Sequence, residues 1–150
     1  MSNDHQQNVL EFLNRVLDMS GLDLKASIEP APEGLKIQVR GGDVSFLLGR
    51  NAELLEALEY LANRIFSPAS GLDGRIVVDS GSYRAGREKE LQLMAAKAAE
   101  RVRTSRIPFS FDPMTPNERR IVHLALVDDA SVRTESQGGG VDRKVTIFPA

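Results

Sequence analysis

The sequence predicts an α+β chain built in two successive units, α-β-β-α-α-β followed by α-β-α-β-β. Two kinds of apolar pattern carry this reading. Some stretches repeat apolar residues every three or four positions, as an amphipathic helix does, and others alternate apolar with polar residues, as a half-buried strand does. Clusters of Gly, Pro, Ser and Asp separate them. At 150 residues the chain can hold one ordinary domain or two small ones.

The elements follow in order. Val9, Phe12, Leu13, Val16 and Leu17 recur at helical spacing, and Gly21 stands where a left-handed helix cap is expected. Leu24, Ala26 and Ile28 alternate with Lys25, Ser27 and Glu29, and Leu35, Ile37 and Val39 with Lys36, Gln38 and Arg40, so a hairpin turns through Pro30 to Gly34. Val44, Phe46, Leu47 and Leu48 make a short apolar helical turn that runs into Gly49-Arg50-Asn51-Ala52. A second helical stripe of Leu54, Leu58, Leu61, Ala62 and Ile65 follows. Gly71 and Gly74 flank a linker before a strand at Arg75 to Asp79, which Ser80-Gly81-Ser82 ends.

In the second unit, Leu91, Met94, Ala95, Ala98 and Val102 predict one face of a long helix from Tyr83 to about Arg106. Ile107 to Phe111 reads as extended. Thr115-Pro116-Asn117-Glu118 is a helix start, with Thr115 as N-cap, Pro116 at the first helical position and Glu118 closing a capping box. Asp128, Asp129 and Ser131 provide a turn, and Val132 to Ser136 and Arg143 to Phe148 read as strands joined through Gly138-Gly139-Gly140. The boundary between the units falls at Ser80 to Ser82, which gives domains of 1–81 and 82–150.

Composition removes several function classes. There is no cysteine, so disulfides, thiolate nucleophiles, zinc ribbons and iron–sulfur clusters are excluded. The first 18 residues lack a basic region and an unbroken apolar run, so neither a signal peptide nor a membrane span is expected, and a cytoplasmic location is. The formal net charge is −2, but the charge is uneven. Arg84 to Arg106 holds seven basic and three acidic residues, whereas residues 1–35 hold six acidic and two basic ones. A basic face on an acidic protein is therefore available to nucleic acid.

Two places carry candidate chemistry. At Gly49-Arg50-Asn51-Ala52, a glycine between two helices lets the backbone turn sharply and approach a ligand, while the following helix presents N–H groups and its positive dipole end. Arg50 adds a fork of donors, and Asn51 can cap the helix or bond a nucleic-acid backbone. The loop by itself fits a phosphate site and a plain helix corner equally well. The second place is Arg119 with His123, an i, i+4 pair on one helix face, able to grip one phosphate together. Spacing alone favours the blander reading there, in which a backbone carbonyl satisfies a half-buried His123 and Arg119 is solvated. Arg101, Arg103 and Arg106 could extend an electrostatic track, but cations at a helix C-terminus are favoured by its dipole in any case.

The segment Gly42 to Leu61 resembles the KH domain of the Jag (SpoIIIJ-associated, also KhpB or EloR) family of bacterial RNA-binding proteins. Arg75 to Asp79, Tyr83-Arg84, Arg87-Glu88, Met114 to His123 and Thr134-Glu135-Ser136 resemble its C-terminal part, the R-three-H domain. The resemblance covers about residues 10 to 148 with its motifs in order. It implies a type II KH-like α-β-β-α-α-β domain followed by a small α-β-α-β-β R-three-H domain, and a single-stranded RNA-binding protein rather than an enzyme. A KH domain holds about four nucleotides on its GXXG loop, which maps to Gly49, Arg50, Asn51 and Ala52. Ala52 stands where the family has glycine, and a loop that forms but binds more weakly is expected. Phe46, Leu47, Leu54, Ile37 and Val39 are the candidates for a base-facing groove.

The resemblance assigns Arg119 and His123 to nucleic-acid binding, with Arg120 beside them. It implies a post-transcriptional regulator of cell elongation and envelope growth, with a small single-KH protein or a second copy as partner. It also implies a further N-terminal domain that this sequence does not contain. The rival reading is a protein–protein adapter that uses the KH helices for dimerisation. No cofactor or metal is expected. Gly138-Gly139-Gly140 lacks the Lys and Ser/Thr of a P-loop, Asp128-Asp129 lacks calcium-loop spacing, and His5 lies in a terminus expected to fray. Aromatic residues are few and no aromatic strand motif is present, which disfavours a base-stacking sheet.

Overall fold

The computed structural model of the protein describes residues 2–67 and 74–150, and its chain divides into two units, Met1–Tyr83 and Arg84–Ala150. Gly71 of the expected linker lies outside the described residues.

In the first unit, helix α1 (Asn3–Ser20) starts where Ser2 accepts a hydrogen bond from the His5 N–H and ends at Gly21, whose φ of 75° makes a left-handed cap. Val9, Leu13 and Leu17, each four residues apart, form its buried line. The N-terminus is not frayed at His5, contrary to the sequence expectation. The imidazole packs edge-on against Phe66 at 6.0 Å, and Phe12 packs on the same ring at 5.4 Å. Helix α2 (Val44–Phe66) crosses over between strand β2 (Leu35–Arg40) and strand β3 (Ile76–Asp79), which pair in parallel, as a parallel pair requires. Strand β1 (Lys25–Glu29) pairs antiparallel on the other side of β2, so the sheet order is β1-β2-β3.

The core of this unit lies between the sheet, through Ala26, Leu35, Ile37, Val39, Ile76 and Val78, and the two helices. On α2 the buried line is Leu55, Leu58 and Ala62, whereas Leu61 and Ile65 of the expected stripe are exposed. The helix is apolar over a wider arc than the sheet covers, and periodicity alone cannot choose within that arc.

Both outer strands have their free backbone edge closed by a helix side chain. The Asn14 amide donates to the Ala26 carbonyl at 3.0 Å and accepts from its N–H at 2.8 Å. On the opposite edge the Asn63 amide does the same for Ile76, at 2.6 and 2.9 Å, and Glu59 accepts from the Val78 N–H at 2.9 Å. These side chains act as a substitute strand for groups that would otherwise be left unpaired.

In the second unit, helix α3 (Tyr83–Ser105) buries Leu91, Ala95, Ala98, Ala99 and Val102, while Met94 of the expected face is exposed. Strand β4 (Phe109–Ser110), helix α4 (Pro116–Leu126), strand β5 (Val132–Gln137), a 3-10 turn (Gly140–Asp142) and strand β6 (Lys144–Pro149) follow. The sheet is antiparallel in the order β4-β6-β5. Val122, Leu126, Val132, Val145 and Ile147 join the α3 residues in one core, so both helices pack on the same sheet face.

The capping box forms as the sequence predicts. Thr115 accepts from the Glu118 N–H, and Glu118 accepts from the Thr115 N–H. Glu118 is only 6% exposed because it has a third partner, the Arg87 guanidinium of α3 at 2.8 Å. One carboxylate thus ties the starts of both helices together.

Candidate nucleic-acid interface

Helix α2 is not continuous. At Gly49 the backbone is extended, with φ −65° and ψ 158°, and Arg50, Asn51 and Ala52 are all left-handed, with φ of 52°, 59° and 57°. The right-handed helix resumes at Glu53. Left-handed backbone costs about 1–2 kcal/mol for each residue with a Cβ, less for Asn. Part of that cost, about 0.8 kcal/mol, is recovered by the Ala52 methyl, which is completely buried in the same core as Leu55 and Leu58. The sharp turn therefore comes from Arg50 to Ala52 and not from Gly49. A Cβ at Gly49 would meet nothing within 4 Å, so what that glycine provides is open backbone.

A right-handed helical segment starts anew at Glu53, so its first N–H groups have no carbonyl partner within the helix. The following helical segment adds its positive end. Arg50 and Asn51 are exposed on the turn. Ala52 has no exposed surface, so it shapes the turn from within.

The groove residues expected beside this loop divide sharply. Phe46 is 66% exposed, but Leu47, Ile37 and Val39 have no exposure and Leu54 is half-buried. Ile37 and Val39 are core residues because β2 is the middle strand and its apolar side chains face the helices, and Leu47 of α2 belongs to the same core.

On α4 the Arg119 side chain folds back so that Nη1 donates to the Met114 carbonyl at 2.9 Å. His123 is held at both ring nitrogens: Nδ1 lies 2.6 Å from Thr134 Oγ1 and Nε2 lies 2.9 Å from Ser136 Oγ. Two hydroxyls of β5, rather than a backbone carbonyl, satisfy this histidine. Burial, and after it the neighbouring Arg119 cation, lower the His123 pKa below the usual imidazole value. The ring is then neutral near pH 7, donating to one hydroxyl and accepting from the other. The hydroxyl that accepts from the ring retains its own proton for a ligand.

Thr134 and Ser136 alternate with exposed Arg133 and Glu135 along β5 and so share one sheet face. Their part in the site could be read only as a Thr-x-Ser alternation in a strand, and without the fold nothing directs it at His123. Arg120 is exposed, roughly 100° around α4 from Arg119.

The basic end of α3 is largely engaged in structure. Arg101 stacks 5.7 Å over Phe109, Arg103 pairs with Asp129 at 2.5 Å, and Arg106 donates to the Ala150 carbonyl at 3.0 Å. Among the described residues, no group of three or more His, Asp or Glu could hold a metal ion, and no helix is long and apolar enough to cross a membrane.

Comparison with known proteins gives a consistent result. The family model of the R-three-H domain matches residues 89–149. The RNA-binding protein KhpB of Clostridium symbiosum is 31% identical over 144 residues, 95% of this chain. RNA-binding protein KhpB of Bacillus subtilis (strain 168) is 27% identical over 146 residues, 96% of this chain. The chain spans 65% of the length of the first of these relatives and 70% of the second.

Proposed function

We propose that this chain, which is similar to RNA-binding protein KhpB over most of its length, is a member of the Jag (SpoIIIJ-associated) family and binds single-stranded RNA without catalysing a reaction. In this reading the Gly49–Ala52 turn and the Arg119–His123 helix face are the contact sites, the former in a KH-like domain and the latter in an R-three-H domain. The observation that carries it is the left-handed turn. Three consecutive left-handed residues with side chains are a costly conformation, and it exposes Arg50 and Asn51 at the start of a helical segment. That is a site for backbone phosphates, which dominate affinity for nucleic acid.

Arg119 keeps guanidinium N–H groups beyond the one given to Met114, and His123 fixes the hydroxyls beside it. Two sites on one chain raise the effective concentration of each for a shared strand. We extend the proposal to a cytoplasmic post-transcriptional role in cell elongation and envelope growth, the role implied by the resemblance.

The test is fluorescence anisotropy of a labelled single-stranded RNA across a salt series. Wild type is compared with Arg50→Asp combined with Asn51→Asp, and with Arg119→Ala. Asp tolerates left-handed backbone, so the double variant preserves the turn while reversing its charge. Wild type should show a log–log slope of roughly −2 to −4, at about −0.7 for each phosphate contact, and the double variant should lose it. No binding by wild type would remove the proposal.

A second reading, an adapter that dimerises or binds a small single-KH protein, has one observation in its favour. Tyr60, Leu61 and Ile65 form an exposed apolar strip on α2. Mass that rises with concentration in sedimentation, and falls in Leu61→Lys, would support it.

A further inference from the structure

The sheet of the second unit has a face that neither helix covers. Val132, Val145 and Ile147 point to the core, and cross-strand register places the alternate residues on the opposite face: Arg133 opposite Phe148, Glu135 opposite Thr146, Gln137 opposite Lys144, and Ser110 opposite Thr146. On that face the Arg133 guanidinium lies 4.3 Å from the centre of the Phe148 ring and also pairs with Glu135. The Arg133 side chain is nevertheless 55% exposed. A planar cation is therefore supported from beneath by an aromatic ring and steadied at its edge by a carboxylate.

Beside it runs a hydrogen-bonded row. Thr146 donates to the Gln137 side-chain oxygen at 2.9 Å, so the hydroxyl proton of the 2.8 Å Ser110–Thr146 contact must come from Ser110. This leaves Ser110 able to accept and the Gln137 amide nitrogen able to donate, its only partner among the described residues being Glu135 at 3.5 Å. Lys144 adds a second cation next to Gln137.

We propose that this outer sheet face is a base-binding platform for single-stranded RNA, with a base stacked on the outer plane of the Arg133 guanidinium and its edge hydrogen-bonded by Gln137 or Ser110. Unstacked bases are recognised on Arg planes and aromatic rings in this way. The two cations against one carboxylate suit a polyanion. The position also suits a strand already engaged nearby. Strand β5 is the edge of its sheet, with Thr134 and Ser136 holding His123 on one side and Arg133 on the other. An RNA strand that passes His123 and turns over this edge reaches the platform. The inference rests on the RNA-binding reading and adds to it a site for a base, where the loop and Arg119 address phosphates.

The test is anisotropy with an eight-nucleotide oligouridine and with the same oligomer made fully abasic, using wild type, Arg133→Lys and Phe148→Leu in the full chain. Circular dichroism checks that each variant folds. Stacking of one base predicts that Arg133→Lys, which keeps the charge but loses the plane, weakens oligouridine binding roughly five- to hundredfold. Its affinity for the abasic strand should not change. Phe148→Leu should act in the same direction. If Arg133→Lys binds both oligomers like wild type while Arg50→Asp combined with Asn51→Asp does not bind, the platform is overturned and the RNA-binding reading stands. If wild type binds neither oligomer, both are overturned.

Discussion

His123 on α4 and Thr134 on β5 are joined by a 2.6 Å hydrogen bond, and Ser136 bonds the other nitrogen of the same ring, so one imidazole fastens the helix to the edge strand at two points. Replacing it has a structural cost separate from any loss of RNA contact. His123→Ala should lower stability by about 1–2 kcal/mol, because two hydroxyls lose a partner and take water instead. In a unit of this size that is a fall of roughly 4–16 °C in Tm. Hydrogen exchange at Thr134 and Ser136 should quicken relative to Val145. Unchanged exchange at those positions would mean that the ring does not hold the strand.

The same histidine gives stability a pH dependence. Its folded pKa lies below the value of about 6.5 that it has when unfolded. In acid the unfolded chain therefore takes up more protons, and stability falls as the pH drops below about 6.5. Thermal denaturation from about pH 7.5 to about pH 5.5 should show Tm declining with acidity, and His123→Gln should flatten the decline. A rise in Tm on acidification would contradict the assignment.

The loop makes two opposed predictions at its ends. Gly49→Ala should raise stability slightly, by about 0.4–1 kcal/mol, since φ is −65° and the added methyl meets nothing, yet it should weaken RNA binding if a phosphate backbone passes close to that residue. Ala52→Gly relieves a left-handed alanine, worth about 1–2 kcal/mol, but removes a buried methyl worth about 0.8 kcal/mol and frees the unfolded chain. Its net effect on stability should be within about 1 kcal/mol. Chemical denaturation of both variants, read beside their RNA affinities, separates the two roles.

Glu118 should matter more than any exposed ion pair of this unit. Glu118→Ala breaks the capping box and strands the half-buried Arg87, and should cost about 2–4 kcal/mol. Arg103→Ala, which removes a solvent-screened pair with Asp129, should cost far less. Urea melts that ranked the two in the opposite order would refute this account of the helix starts.

Local chemistry along the chain determined the elements. The spacing of Val9, Leu13 and Leu17, the alternation in β1 and β2, the Gly21 cap and the Thr115–Glu118 box each act within a few residues, and each is realised where its pattern lies. The two candidate contact motifs were also legible as residue types at Gly49–Ala52 and at Arg119 and His123. Only the tertiary structure decided which apolar residues are core. Ile37 and Val39 are buried because β2 is the central strand, a fact of sheet order that no local window contains, and Leu47 of α2 is buried in the same core. It also decided that the loop turns at Arg50 to Ala52 and not at its glycine, a backbone the isolated residues would avoid and one that places the Ala52 methyl in the core. The partners of His123, and the stacking of Arg133 on Phe148, depend on register between segments 11 to 15 residues apart. Sequence separation hides such pairs, and cross-strand geometry brings them together.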